Sequence, residues 1–371
     1  MCDANPIKIL MSARDPAAAL NVAALWQEWN TNSKVLTKVT AQGPAFHILK
    51  EKGVIVDKFD NLSEDASYVP QTTKILNAFQ PDAVLVGLSA PGEGGVDEAL
   101  LASAKVPTFL LQDFWGECNN YFQSHATEVF VIDNIAKELT EKRFGVKSTV
   151  VGSPKHIEYL QIVKEGQTVN LRRKMNLDNK KVISVFGQSL KNNPGYIESL
   201  KVLYAKLSLL DSSEIVVIFR SHPRDTYAEV QGEQQLLASY GLPLVDGSQL
   251  SHEESIAISD VCISMFSNSL LDTCYFNYFS NAHFKAPISL LYNESIRSLL
   301  ISIVQSDELP YFNGSMVLPV HNEDQLLETL RMALTEQTQS RLAHFAKSYL
   351  LNPLESSDRI LEAIVSRCMV T

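Results

Sequence analysis

Short apolar runs alternate with segments of helical period along the chain, and this alternation most restricts how the sequence can fold. One series opens at Ile7 and closes near Val151, and a second opens at Val182. Continuous apolar runs indicate strands that are buried on both faces, and the segments between them indicate crossover helices. We therefore predict an α/β protein with two Rossmann-like, doubly wound domains, each built on a parallel sheet.

The predicted strands are apolar stretches bounded by polar or glycine residues. They cover residues 7–12, 35–40, 54–59, 83–87, 108–112, 129–132 and 148–151, then 182–187, 215–219, 244–245, 261–263 and 288–291. The predicted helices between and after them cover residues 16–29, 44–52, 69–79, 95–103, 135–144, 196–210 and 228–240, with further helices from about residues 322 and 360. A run of this kind is typical of repeated βα units.

The domain boundary is predicted where the pattern restarts, at Gly152-Ser-Pro154. A chain of 371 residues exceeds what one core usually supports, so two domains of ordinary size are expected. The predicted division is residues 1–153, residues 154–350 and a C-terminal helical segment, residues 351–371.

Charge, cysteine content and histidine spacing argue against several classes of protein. The formal charge of −10 argues against a nucleic-acid partner, because such proteins carry a basic face. Five scattered cysteines, a start that lacks the pattern of a secretory signal, and no apolar run near ~20 residues predict a cytoplasmic protein without a transmembrane segment. The eight histidines show no metal-ligand spacing, so no metal is expected.

Ligands of doubly wound sheets bind beyond the carboxyl ends of the strands, so the residues that follow each strand are the candidates. In the second domain these are hydroxyl, amide, cationic and acidic groups suited to a nucleotide and its phosphates. They are Gly187, Gln188, Ser189, Arg220, His222, Arg224, Ser267, Asn268, Ser269 and Asp272. Guanidinium groups, an imidazole and a helix amino terminus would neutralise a diphosphate, whereas the alternative is surface ion pairs and a capped core helix.

The first domain offers candidate acids at the corresponding strand ends. Glu93 lies on a glycine-rich loop, and Asp113 precedes Trp115; either carboxylate could serve as a catalytic base or simply cap a helix. Ser12, Arg14 and Asp15 follow the first strand. With Trp115, they are the candidates to bind an acceptor molecule, whose hydroxyl the base would deprotonate.

Several cofactor motifs are missing from the sequence. Ser12-Ala-Arg-Asp-Pro stands where a dinucleotide-binding protein has its glycine-rich fingerprint, and the loop from Ala90 to Gly95 lacks the ending of a P-loop. We therefore expect no cofactor.

The chain as a whole resembles the glycosyltransferase B-fold superfamily, which includes nucleotide-sugar glycosyltransferases, non-hydrolysing nucleotide-sugar 2-epimerases and polyol-phosphate transferases. The resemblance rests on short segments spread over nearly the full length. They are Ile132-Asp-Asn-Ile-Ala136, Phe144-Gly-Val, Val150-Val-Gly152-Ser-Pro154, His222-Pro223, the turn at Ser267 to Asp272, and Asn313-Gly314 to Val320.

The resemblance implies two domains facing a central cleft, with the C-terminal helix crossing back to the first domain. It implies a metal-independent glycosyltransferase of polysaccharide biosynthesis that moves a sugar from its substrate, a nucleoside-diphosphate sugar, to an acceptor glycan, lipid or small molecule. Asp113, Glu93 and His222 are then the candidate catalytic residues. Epimerases of this group carry two glycines and paired glutamates where this chain has Phe266 to Asp272, which favours transfer. The alternative functions are those of an epimerase, a polyol-phosphate transferase or a non-catalytic sugar-nucleotide-binding relative. A homodimeric assembly is also open.

Overall fold

A computed structural model of the protein describes residues 5–90, 92–164, 166–222, 224–305 and 315–369. The chain divides into two compact units, of which unit 1 comprises Met1–Ile157 and Leu351–Thr371 and unit 2 comprises Glu158–Leu350. Two motif positions, Pro223 and the Asn313-Gly314 pair, lie outside the described residues.

Unit 1 contains a seven-stranded parallel sheet in the order β3-β2-β1-β4-β5-β6-β7. Its strands are β1 (Ile7–Ala13), β2 (Val35–Gln42), β3 (Val56–Phe59), β4 (Ala83–Gly87), β5 (Thr108–Leu111), β6 (Glu128–Val131) and β7 (Ser148–Val150). Its helices are α1 (Pro16–Trp29), α2 (Pro44–Glu51), α3 (Tyr68–Phe79), α4 (Val96–Ser103), α5 (Asn134–Phe144) and the C-terminal α15 (Ser356–Cys368). The predicted doubly wound parallel arrangement is confirmed for this unit.

Three local features of the sequence fit this arrangement. Prolines begin α1 and α2, where a missing N–H costs no hydrogen bond, and Asp133 caps α5 by accepting from the N–H of Ala136 at 2.7 Å. Gly152 has φ of +84°, and a Cβ placed there would lie 2.8 Å from Ser356 Oγ. A glycine is therefore needed where the end of the first βα series meets the start of α15.

The C-terminal helix contributes to the core of unit 1. Ile360 and Ile364 of α15 are fully buried in the same apolar cluster as Ile9, Val22 and Phe130. Burial of both isoleucines fits their spacing of four residues, which places them on one face of the helix. The core of unit 1 is thus completed by residues that follow unit 2 in the sequence.

Unit 2 contains a five-stranded parallel sheet in the order β12-β11-β10-β8-β9. Its strands are β8 (Lys181–Phe186), β9 (Ile215–Arg220), β10 (Val261–Ser264), β11 (Ala286–Leu290) and β12 (Leu318–Val320). Its helices are α6 (Ile157–Lys164), α7 (Gln167–Lys174), α8 (Pro194–Leu207), α9 (Tyr227–Ala238), α10 (His252–Ile258), α11 (Asn268–Phe279), α12 (Glu294–Val304), α13 (Leu326–Ala333) and α14 (Glu336–Tyr349). This sheet also confirms the predicted parallel fold.

One predicted strand is wrong. Leu244 and Val245 form no strand; Leu244 makes only an isolated parallel bridge to Val217, and Leu244 itself is exposed. Two apolar residues between Pro243 and Asp246 are too few to extend a ladder. β9 is therefore the last strand on that side of the sheet. None of the helices in the described ranges is long and apolar enough to cross a membrane.

We expect Ile360→Ala to destabilise unit 1 by about 2–4 kcal/mol, because it removes a fully buried side chain and leaves a cavity. The three tryptophans, Trp26, Trp29 and Trp115, all lie in unit 1, so denaturant unfolding followed by tryptophan fluorescence reports on this unit. Glu362→Ala, at an exposed position of the same helix, is the matched control. Equal stability of the two variants would show that α15 is not part of this core.

Candidate functional site

The turns after β8, β9 and β10 meet at the carboxyl edge of the unit 2 sheet. β8 lies between β10 and β9, with Phe186 opposite Arg220. The N–H of Gly187 donates to the carbonyl of Arg220 at 2.7 Å, and Ser264 Oγ donates to the carbonyl of Phe186 at 2.8 Å. The structure therefore brings together the three turns that the sequence singled out.

Gly187 and Gln188 serve mainly to join these turns. A Cβ at Gly187 would lie 3.2 Å from both the Arg220 carbonyl oxygen and the Tyr196 hydroxyl, so the absence of a side chain lets these groups pack closely. Gln188 is buried, and its Oε1 accepts from the N–H of Phe266 at 2.9 Å and from Ser264 Oγ at 3.2 Å. Only Ser189 of this predicted group has an exposed side chain.

The Arg220 guanidinium, which was expected to bind phosphate, forms hydrogen bonds with the loop at residues 247–250. Its Nη1 donates to the carbonyls of Gly247 at 3.0 Å and Leu250 at 2.5 Å. Burial lowers the pKa of this guanidinium, although the nearby Glu253 and Glu254 act in the opposite direction. Arg220 thus supports the 247–250 loop through Nη1, and Arg224 carries the exposed side chain of the pair. That both arginines bind phosphate stays a prediction.

His222 is held in one tautomer by the backbone. Its Nδ1 accepts a hydrogen bond from the N–H of Arg224 at 3.2 Å, which leaves the proton of the neutral ring on Nε2. Burial lowers the pKa of His222, and the positive charges of Arg224 and Lys191 lower it further, although Asp225 raises it. At neutral pH the ring is therefore a neutral hydrogen-bond donor through Nε2.

The amino terminus of α11 supplies further donors at this edge. Ser267 caps the helix by accepting from the N–H of Ser269 at 3.2 Å, and the two hydroxyl oxygens are 3.0 Å apart. Ser267 and Asn268 are half-buried, whereas Ser269 is buried. The twelve-residue helix directs the positive end of its dipole to these groups, which favours a bound anion.

Asp272 lies one turn further into α11 and contacts a residue that the sequence analysis missed. Its Oδ2 is 2.9 Å from Nε2 of His252, whose ring also packs edge-on against Phe186. His252 begins α10 behind a Ser251–Glu254 capping box. That box was a signal in the sequence, because it places the following residue at a helix start near a strand end.

In unit 1, polar side chains from two strand ends converge on a buried acid at the start of α4. Ser12, at the end of β1, donates through Oγ to Asp97 Oδ1, and Ser89, after β4, donates to Asp97 Oδ2 at 2.7 Å. Asp97 is fully buried. Ser12, predicted as an acceptor residue, is thus engaged with Asp97 inside the unit.

Arg14 and Asp15 hold the glycine-rich loop that carries Glu93. Arg14 donates through Nη1 to the carbonyl of Gly94 at 3.0 Å and through Nη2 to that of Ala90 at 3.2 Å. Asp15 Oδ2 accepts from the N–H of Ala90 at 2.7 Å. The Glu93 carboxylate is 3.8 Å from Arg14 and its side chain is 73% exposed. These contacts make Arg14 and Asp15 supports for the loop and leave Glu93 accessible.

Asp97 and Glu98 form a buried acid pair that the sequence analysis did not identify. Glu98 Oε1 lies 3.3 Å from Arg14, and Glu98 Oε2 has no hydrogen-bond partner among the described residues. Burial raises the pKa of Asp97 to about 6 and that of Glu98 to about 8, where the neighbouring Asp97 charge adds to the effect. The pair therefore retains a proton near neutral pH, with Arg14 facing the remaining charge.

The other candidates in unit 1 occupy a buried region after β5. Asp113 is 6% exposed and Trp115 is 1% exposed. The indole N–H of Trp115 donates to the carboxylate of Asp133, with distances of 3.1 and 3.0 Å to its two oxygens. Burial and this hydrogen bond give Trp115 a packing role at the start of α5, and its role at an acceptor stays a prediction. No group of three His, Cys, Asp or Glu suited to a metal ion occurs within the described residues.

Comparison with solved structures identifies the class of fold. A UDP-GlcNAc 2-epimerase from Neisseria meningitidis bound to UDP-GlcNAc matches 97% of this chain and 100% of its own, with 16% identity and a TM-score of 0.66. MnaA from S. aureus in a co-structure with UDP matches 96% of both chains, with 14% identity and a TM-score of 0.68. MurG from Acinetobacter baumannii matches 97% of this chain and 100% of its own, with 12% identity and a TM-score of 0.60.

These similarities show the two-domain glycosyltransferase B fold, as the sequence resemblance predicted. No family model matches the sequence, and no curated protein matches it either. At 12–16% identity the structural likeness defines the fold alone. The matching structures include 2-epimerases, MurG and a glycosyltransferase, so the chain has a fold that such enzymes share.

We expect the stability of unit 1 to fall as pH rises from about 5 to 8. In this range the folded unit holds protons on Asp97 and Glu98 that the unfolded chain, with ordinary pKa values of 3.8 and 4.5, has already released. Each such group lowers the free energy of unfolding by up to about 1.4 kcal/mol per pH unit. In Glu98→Gln the free energy of unfolding should fall less over this pH range. Denaturant unfolding at each pH, followed by tryptophan fluorescence, measures it.

Glu93→Gln is the matched control for this experiment, because Glu93 lies on the adjoining loop with an exposed carboxylate. Its pH dependence should match that of the unaltered protein. An identical slope in all three proteins would contradict a proton held by the buried pair.

Proposed function

We propose that the protein is a glycosyltransferase that takes a sugar from a nucleoside-diphosphate sugar bound by unit 2 and transfers it to an acceptor. One observation carries this proposal. The Nε2–H of His222 and the serine-capped amino terminus of α11 occur on the turns that flank the β8 turn, at one edge of the same sheet. Two kinds of anion-binding donor at the carboxyl edge of a doubly wound sheet suit the diphosphate of such a donor.

The chemistry proposed for these groups is stabilisation of the leaving nucleoside diphosphate. Negative charge develops on the diphosphate as the bond to the sugar breaks. The α11 dipole, the Ser267 hydroxyl and the His222 Nε2–H are already oriented by the protein, so they stabilise this charge without reorganising. His222 acts here as a donor and not as a base, because its Nδ1 is occupied by the Arg224 N–H.

Unit 1 is proposed to act on the acceptor. Of the two candidate bases, Glu93 has the exposed carboxylate, whereas Asp113 is buried. Glu93 would act as the general base toward the acceptor hydroxyl. Arg14 and Asp15 contribute by holding the backbone of its loop.

A 2-epimerase is the second candidate, and the names of several matching structures support it. Four of the matching structures carry UDP-GlcNAc or UDP-N-acetylglucosamine 2-epimerase in their names, among them those from N. meningitidis, Listeria monocytogenes and Methanocaldococcus jannaschii. An epimerase needs no acceptor. Proton NMR of UDP-GlcNAc incubated with the protein alone separates the two: a second UDP-sugar formed without acceptor would identify the epimerase, and an unchanged spectrum favours transfer.

The proposed donor site predicts a rise in thermal stability with a nucleoside-diphosphate sugar. A ligand at 100 times its dissociation constant stabilises the folded state by about 2.7 kcal/mol. UDP-GlcNAc and UDP should raise the unfolding midpoint, in a screen that also includes GDP, CDP, ADP and dTDP sugars. In His222→Ala the shift should be smaller or absent, because the variant loses the Nε2–H donor.

The matched control is His344→Ala, an exposed histidine on α14 of the same unit. This variant should keep the full shift. A shift retained by His222→Ala, or no shift with any of the nucleotides, would contradict the proposed donor site.

A further inference from the structure

A buried cluster of charges lies behind the proposed donor site, and the proposed function assigns it no role. Lys191, on the segment after β8, places its Nζ 3.3 Å from Asp225 Oδ2 and in contact with Glu233 Oε1. The carboxylate side chains are 1% and 2% exposed, and Lys191 is 15% exposed. One largely buried cation, Lys191, thus faces two carboxylates that are almost fully buried.

This cluster is connected to two of the turns at the carboxyl edge. Asp225 Oδ2, which faces Lys191, also accepts from the N–H of His222 at 2.9 Å. On the other side, Tyr196 donates its hydroxyl to Glu233 Oε1 at 2.8 Å and accepts from the N–H of Gln188 at 3.2 Å. A continuous set of contacts therefore runs from the turn after β8, through Lys191, to the backbone of His222.

We propose that Lys191 is a positioning residue, which fixes the turn that carries His222 and thereby the direction of its Nε2–H toward the donor diphosphate. This inference rests on the proposed donor site. Lys191 itself does not touch the ligand in this account. It acts through Asp225, whose carboxylate is shared between the lysine and the His222 backbone.

The energetic reason is the cost of unpaired buried charge. Asp225 and Glu233 share Lys191, and Glu233 Oε2 has no hydrogen-bond partner among the described residues. Without the lysine, two buried carboxylates would repel each other, and one of them would have to move toward water or take up a proton. Because Asp225 is bonded to the His222 N–H, its displacement would move the imidazole as well.

The charged groups that face His222 allow a test with opposite signs. Asp225 raises the pKa of His222, whereas Arg224 and Lys191 lower it, and burial has the largest effect. Lys191→Met should therefore raise the pKa of His222, and Asp225→Asn should lower it, each by about 0.5 unit or more. The measurement is an NMR titration of the His222 ring, assigned by its loss in His222→Ala.

The binding arm of the experiment uses UDP as the probe and isothermal titration calorimetry as the readout. Lys191→Met should weaken UDP binding about tenfold. Lys191→Arg, which keeps the charge, should keep the His222 pKa within about 0.2 unit and UDP affinity within about threefold of the unaltered protein. Circular dichroism of each variant establishes that it is folded, and Lys191→Arg and Asp225→Asn remain informative if Lys191→Met is not.

Two results would overturn the proposal: a His222 pKa that is unchanged in both Lys191→Met and Asp225→Asn, or full UDP affinity in Lys191→Met. Failure of the proposed function looks different. In that case the unaltered protein binds no UDP, while the opposite pKa shifts still show whether Lys191 controls the surroundings of His222.

Discussion

The parallel pairing of β8 with both β9 and β10 is the constraint on which the rest of the unit 2 site depends. Parallel strands end at the same edge of a sheet, so the turns that leave all three strands must meet there. Residues about eighty positions apart in the sequence, Gln188 and Phe266, are joined by a hydrogen bond of 2.9 Å for this reason. The His222 turn and the α11 amino terminus are held at this edge by the same arrangement of strands.

The two units use charge in different ways at their carboxyl edges. In unit 1 the acids Asp97 and Glu98 are buried opposite one arginine, and burial raises the pKa of both. In unit 2 the buried acids lie behind the edge, while the groups at the edge are a neutral imidazole, serine hydroxyls and a helix amino terminus. A protein with a formal charge of −10 can accommodate an anion where local donors outweigh its overall charge.

The fold was predictable from the sequence because buried parallel strands are continuous apolar runs, as in Val182 to Phe186 and Ile215 to Phe219. The failure at Leu244 has a physical cause, since a two-residue run carries too little pairing to define a strand. Helices α10, α12 and α14 were not predicted. The apolar residues of α14 are few, and much of its length faces solvent.

The site was predictable in its position but not in the role of each residue. The rule of strand ends indicated the turns at Gly187, Arg220 and Ser267, which the structure brings together. The sequence could not show that Arg220 donates to the Gly247 and Leu250 carbonyls, because a backbone acceptor has no residue signature. Asp97 and Glu98 were missed because acids in the first turn of a helix usually stabilise its dipole at the surface.

The central claim is that unit 2 binds a nucleoside diphosphate through His222 and the amino terminus of α11. A crystal structure of the protein grown with UDP tests it most directly. The account predicts diphosphate oxygens within hydrogen-bond distance of His222 Nε2 and of the groups around Ser267. A well-ordered UDP bound elsewhere in the protein, with this edge of the sheet unoccupied, would contradict it.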